Sequence, residues 1–304
     1  MNTTAAVKDR YAAGAKTREA ALCCPVSYEA RYLEAIPAEV IEKDYGCGDP
    51  SRHVRAGETV LDLGSGTGKI CFIASQVVGP KGRVIGVDLT DAMLEVARRN
   101  APLVAARVGW ANVEFRKGRI QDLGLDLEAM DAELAGHPAV DGNSFVRALE
   151  TAAELRARRP LVADASVDVV VSNCVLNLVA TADRRQMFEE IHRVLRPGGR
   201  AVISDIVCDR AVPEAMQQDA TLWSGCLSGA FEEGAFLRAW EAAGFAVLKV
   251  LVRQKEPWQV VEGIEFRSLT VEVTKATDVA GAVAGGGVLR AGVLLRREPV
   301  VRNP

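Results

Sequence analysis

The chain of 304 residues predicts an α/β fold: a doubly wound, mostly parallel sheet with a small C-terminal α+β extension. Three observations carry that prediction. Short apolar runs alternate with stretches of helical spacing. A turn with three glycines, Gly64, Gly66 and Gly68, joins the first strand run to a helix. The next strand run ends in an acid, Asp88.

Residues 1–46 read as a polar helical arm that ends at the turn-rich Gly46-Cys47-Gly48-Asp49-Pro50. Thr59–Leu63 reads as a buried strand and Lys69–Val78 as a helix stopped by Gly79-Pro80-Lys81-Gly82. Arg83–Asp88 is a second strand, Thr90 the cap of the next helix and Val113–Phe115 a third strand. From about 123 to 164 the composition is helical without a strand pattern, which suggests an insertion outside the sheet. Val167–Val171 is a fourth strand, Asp183–Leu195 a helix closed by Pro197-Gly198-Gly199, and Ala201–Asp205 a fifth strand. Helices over Glu214–Leu227 and Glu232–Ala243 follow, then an antiparallel strand pair at Ala246–Val252 and Ile264–Val273. The expected organisation is an arm (1–46), a ligand-binding domain with its insertion (47–210), a C-terminal α+β part (211–276) and a flexible tail (277–304).

Composition narrows the function classes. With 37 Lys+Arg against 40 Asp+Glu the net charge is −3, so no basic footprint points to nucleic acid. No run of about 20 apolar residues predicts a membrane span. The opening residues lack the apolar core of a secretory leader, and a cytoplasmic location is expected. Seven cysteines, an odd number, in a chain of this size predict thiols rather than a disulfide framework. No CxxC pair suggests structural zinc.

The glycine turn lets a ligand approach the backbone closely, and Asp88 is placed to accept hydrogen bonds from a ribose diol. The dinucleotide pattern fails, because its third glycine would fall on Lys69. Asp62, just before the glycines, suits a cofactor with a cationic end rather than a pyrophosphate. These residues fit S-adenosylmethionine. Val60–Gly68, Gly86–Thr90 and Arg193–Gly199 resemble the class I S-adenosylmethionine methyltransferases, which implies a Rossmann-like fold.

The cysteines sharpen the reading. Cys47 precedes the first strand, Cys174 follows the fourth, Cys226 follows the fifth, and Cys71 lies one turn into the helix after the glycines. Three soft thiolates without a fourth ligand suit a trigonal thiophilic ion such as trivalent arsenic. Tyr45-Gly46-Cys47-Gly48, Gly68-Lys69-Ile70-Cys71, Ser172–Leu178, Trp223-Ser224-Gly225-Cys226 and the Cys23-Cys24 pair resemble the arsenite methyltransferase family over roughly residues 8–125 and 165–275. The family usually has a short connection in place of 123–164. The resemblance implies that Cys47, Cys174 and Cys226 hold As(III) and that Cys71 forms a transient disulfide with Cys47. It implies that Cys23 and Cys24 aid arsenic capture. Asp62, Gly64, Ser65, Gly66, Gly68, Asp88, Leu89, Ile120, Gln121 and Asn173 would line the cofactor site. The implied partners are arsenite or its thiol conjugates, with thioredoxin or glutathione as reductant. Two alternatives stay open: a methylase of a small organic acceptor, which would not need the thiols, and a non-catalytic thiol-based metalloid-binding protein. Cys208 reads as a core thiol, His192 as a surface or capping residue and Trp223 as a packing residue.

Overall fold

A computed structural model of the chain describes residues 3–16, 26–43 and 45–277. Cys23, Cys24 and the tail from 278 onward lie outside the described residues. In chain order the elements are α1 (Thr3–Gly14), α2 (Ala30–Leu33), α3 (Ala38–Glu42), β1 (Thr59–Leu63), α4 (Lys69–Val78), β2 (Arg83–Asp88), α5 (Asp91–Val108) and β3 (Val113–Lys117). Then come α6 (Leu127–Gly136), α7 (Gly142–Arg158), β4 (Val167–Asn173), α8 (Arg184–Val194), β5 (Leu195–Cys208), α9 (Glu214–Gln217) and α10 (Ala220–Ser224). The last are β6 (Phe231–Glu232), α11 (Glu233–Ala242), β7 (Phe245–Arg253), β8 (Gln259–Val261) and β9 (Ile264–Lys275).

The main sheet runs β3-β2-β1-β4-β5-β9-β7. The pairings from β3 to β5 are parallel, and β9 joins β5 and β7 antiparallel. Its central strands are apolar because helices cover both faces. Period-2 alternation divides them: Leu61, Leu63, Val170 and Ile203 face a core shared with α8 and α11, whereas Val60, Val169, Val171 and Val202 face α4 and α5. Asp62 therefore points to the α4 side, where it is only 2% exposed. The strand order reverses between β1 and β4, which is where a doubly wound sheet opens a crevice at its carboxyl edge.

Three details differ from the sequence reading. Ser172 and Asn173 belong to the end of β4. The Pro-Gly-Gly turn is enclosed within β5: Val167 pairs with Leu195 and Val169 with Arg200, so Arg196–Gly199 bulge opposite Asp168. The stretch before Cys226 forms two short helices instead of one, because Asp219 caps the second by accepting from Thr221 N and Leu222 N. Residues 127–158 hold two helices, each started by an aspartate cap, Asp126 and Asp141. Thr90 stands at the cap position of α5, but its side chain makes no capping bond.

Candidate active site

A cleft opens at the strand-order reversal. Its floor is the β1–α4 turn. Gly64 (φ 70°) and Gly66 (φ 52°) take left-handed conformations, and Gly64 N and Ser65 N both donate to Val87 O. The turn is thus fastened to β2 and its backbone faces the cleft. Asp88 receives Gly66 N on one oxygen and Thr90 N on the other, each at 2.8 Å. A carboxylate has about four acceptor positions, so it keeps capacity for a diol. Burial raises the Asp88 carboxyl from its ordinary range, while these backbone N–H groups pull it down. The buried Ser65 Oγ, on the cleft wall, has no hydrogen-bond partner among the described residues. An orphaned buried hydroxyl facing a cleft is what a missing polar ligand leaves behind.

Asp62, Gly64, Ser65, Gly66, Asp88, Leu89, Ile120, Gln121 and Asn173 all line this cleft, as does Cys174. Gly68 does not. It has φ 94°, and a Cβ there would stand 2.7 Å from the Phe115 ring, so it is a turn and packing glycine. Asn173 is committed elsewhere: its Oδ1 accepts from Cys47 N and Gly48 N, and its Nδ2 donates to Gly48 O and to Tyr28 Oη. It clamps the Cys47 loop to the end of β4. The Tyr-Gly-Cys-Gly glycines permit that clamp, since a Cβ at Gly46 would lie 2.2 Å from Asn173 Nδ2 and one at Gly48 2.5 Å from Ser204 Oγ.

The clamp brings two of the expected arsenic ligands together. Cys47 and Cys174, 127 residues apart in sequence, have Cα atoms 5.9 Å apart and form a disulfide. The expectation of thiols holds for Cys71, Cys208 and Cys226, and this one pair departs from it. The bridge present is not the transient Cys47–Cys71 pair that the resemblance implies for turnover. Cys71 lies buried in α4, where its thiol donates to Asp62 at 3.2 Å. Burial and the Asp62 carboxylate push the Cys71 thiol well above the usual thiol range, so it sits there as a protonated donor. Cys226 is a thiol whose Sγ donates to Cys174 O at 3.2 Å. Both Cys174 (φ 59°) and Cys226 (φ 62°) hold left-handed backbone conformations, rare for a residue with a Cβ. Among the described residues no group of three or more metal-ligating side chains is preassembled, because the disulfide occupies two of the three sulfurs.

Polar and apolar groups support this corner. Asp205, 1% exposed, accepts from Leu176 N, Ile206 N and Asn177 Nδ2, which fixes the segment after Cys174. Burial lifts its carboxyl to about 7. Trp223 packs inside and donates to Leu178 O. Cys208 is a core thiol pushed up to about 12 by burial. The His192 ring packs edge-on to Phe245.

Sequence reasoning missed the contribution of α1. Thr4, Val7, Lys8 and Tyr11 line the cleft, joined by Tyr45. A weakly amphipathic helix 50 residues before the glycine turn carries no local signal that it covers the crevice. Among the described residues no helix is long and apolar enough to cross a membrane.

Residues 55–141 and 146–249 match the methyltransferase domain family. The chain is 36% identical to the arsenite methyltransferase of Halobacterium salinarum over 254 residues, 83% of this chain and 54% of that protein. It is 31% identical to the human arsenite methyltransferase, over 80% of this chain and 57% of that one. It thus spans about half the length of the curated relatives it matches. The crystal structure of an arsenic(III) S-adenosylmethionine methyltransferase from Chlamydomonas reinhardtii superposes with a TM-score of 0.64 at 30% identity, covering 84% of this chain and 76% of that one. By the domain match and by this likeness in both sequence and structure, the chain belongs to the arsenite S-adenosylmethionine methyltransferase family.

Proposed function

We propose that this chain transfers a methyl group from S-adenosylmethionine to trivalent arsenic held on cysteine thiolates. The observation that carries the reading is the continuity of one cleft from Asp88, past Asp62 and Ser65, to Cys174, whose carbonyl accepts from the Cys226 thiol and whose sulfur is joined to Cys47. A nucleoside cofactor and a sulfur-bound ion can therefore share one enclosure.

Asp88 would hold the ribose diol, the Gly64–Gly66 backbone and Ser65 Oγ the body of the cofactor, and the Asp62 side its cationic end. When bound, S-adenosylmethionine supplies an electrophilic methyl carbon on a sulfonium. Cys47, Cys174 and Cys226 hold the arsenic substrate, and the chain's main contribution is alignment, worth about 7–11 kcal/mol in favourable cases. Trivalent arsenic brings its own lone pair, so no general base acts on the nucleophile. A dithiol or two monothiols must first reduce the Cys47–Cys174 bridge, each cysteine gaining a proton and the donor becoming a disulfide; thioredoxin and glutathione have that chemistry.

The test is incubation of reduced protein with methyl-labelled cofactor, arsenite and thiol, with chromatographic separation of arsenicals. Label should appear in methylated arsenic. It should disappear in Cys174→Ser and Cys226→Ser while cofactor affinity stays within a few-fold, since a hydroxyl is a poor ligand for a soft centre but changes little volume. Full activity in either variant, or label on an organic acceptor and none on arsenic, overturns the proposal.

A further inference from the structure

No residue of 123–164 lines the cleft, yet the outer surface of this segment is not that of a helix built for water. α7 packs on α6, with Ser144 and Ala152 buried and Ala148, Thr151 and Leu155 half-buried. At about 3.6 residues per turn those five positions form one face, and the arc beside it should be polar. It carries Phe145, Val146 and Leu149 instead, which are 57%, 52% and 55% exposed, and Ala153 and Ala157 extend the stripe by two exposed turns. Single exposed apolar side chains need no explanation, but a stripe along one helix marks an interaction surface. Its rim is charged. Arg147, Glu150, Glu154 and Arg158 are exposed, and none of the four forms an ion pair with another of the described residues.

We propose that this stripe is where two copies of the chain pair, α7 against α7, antiparallel about a two-fold axis. The order of the rim charges selects that occupant. A two-fold interface must be complementary to itself. Reversal about an axis between residues 150 and 151 sets Arg147 of each copy opposite Glu154 of the partner subunit, whereas a parallel pair would set each charge opposite its like. The same reversal brings the two Leu149 side chains together beside the axis. It lays each Phe145 over the turn from Ala153 to Ala157 of the partner subunit, where small side chains leave room between the helices. A strongly acidic or basic partner finds no field of one sign on this rim. Because no stripe residue lines the cleft, the pairing does not depend on the arsenic reading.

The experiment is sedimentation velocity on the full chain from about 1 µM to about 100 µM, in reductant so that disulfide-linked copies are not counted. A reversible monomer–dimer equilibrium is expected in that range. Replacing Phe145→Ser and Leu149→Ser together should raise the dissociation constant at least about tenfold. Arg147→Glu alone and Glu154→Arg alone should each weaken pairing, since each sets like charges opposite one another twice. An equimolar mixture of those two single variants should pair as tightly as wild type, because every rim contact is again between opposite signs. These side chains are all on the surface, and unchanged circular dichroism and thermal midpoint check that each variant is folded. A chain that stays monomeric throughout leaves the stripe to a different partner and overturns the proposal. A dimer that survives the loss of Phe145 and Leu149, or that ignores the sign of the rim charges, also overturns it, by placing the contact elsewhere.

Discussion

Reduction of the Cys47–Cys174 bridge should loosen the fold and create the substrate site together. The bridge closes a loop of 127 residues. In the chain-entropy account a loop of that length constrains the unfolded chain by about 5 kcal/mol. For a chain of 304 residues, an unfolding entropy of about 2.1 cal/mol/K per residue comes to about 0.6 kcal/mol/K. The thermal midpoint should then fall by roughly 8 °C on reduction. On the proposed reading arsenite should reverse part of that fall, by binding the native thiols as a set. At about one hundred times its dissociation constant it contributes about 2.7 kcal/mol, or roughly 4 °C. The assay is thermal unfolding with and without a phosphine reductant, each with and without arsenite, with Cys47→Ser alongside. The variant, unable to form the bridge, should match reduced wild type without arsenite. If arsenite shifted the oxidised protein as far as the reduced one, the Cys47–Cys174 pair would not be the site. Equal midpoints in both redox states, with the bridge shown open by mass, would refute the loop-entropy argument.

Asp88→Ala should weaken S-adenosylmethionine binding by about 1–3 kcal/mol, with Asp88→Asn costing less because one acceptor oxygen remains; unchanged affinity by calorimetry would mean the ribose is held elsewhere. Asp205 should make stability pH-dependent. Its folded carboxyl lies at about 7 against an ordinary 3.8, so the native state binds the proton more tightly; its contribution is greatest below that ordinary value and is lost as pH rises through about 7. The thermal midpoint of Asp205→Asn should therefore gain on wild type between pH 4 and pH 7, and parallel curves would show that the carboxyl is not desolvated.

The alternation of strands and helices, the Gly64–Gly66 turn and the acid at Asp88 were all legible in the residues, because each is a local matter: periodicity, tolerance of positive φ, a side chain at a strand end. The cleft positions of Asp62, Gly64, Ser65 and Gly66 were legible for the same reason, whereas Gly68 makes room for the Phe115 ring, Ile120, Gln121 and Asn173 came from the family resemblance, and the α1 residues gave no local signal. The proposed chemistry of Cys47, Cys174 and Cys226 came from the motifs around them. Their relation to one another did not. That Cys47 meets Cys174 rather than Cys71 follows from the Asn173 amide holding the Cys47–Gly48 backbone, and from two glycines that let the strands' ends come within that reach. Cys71 instead turns inward because residue 62 alternates onto the face that α4 covers. Tyr11 reaches Cys226 across 215 residues because α1 packs over the cleft, tied to α10 by Arg10 and to Tyr45 through Gly14. Local pattern determines which elements form and which of their faces are buried; contacts between distant loops depend on how those elements pack, and no short stretch of sequence contains that information.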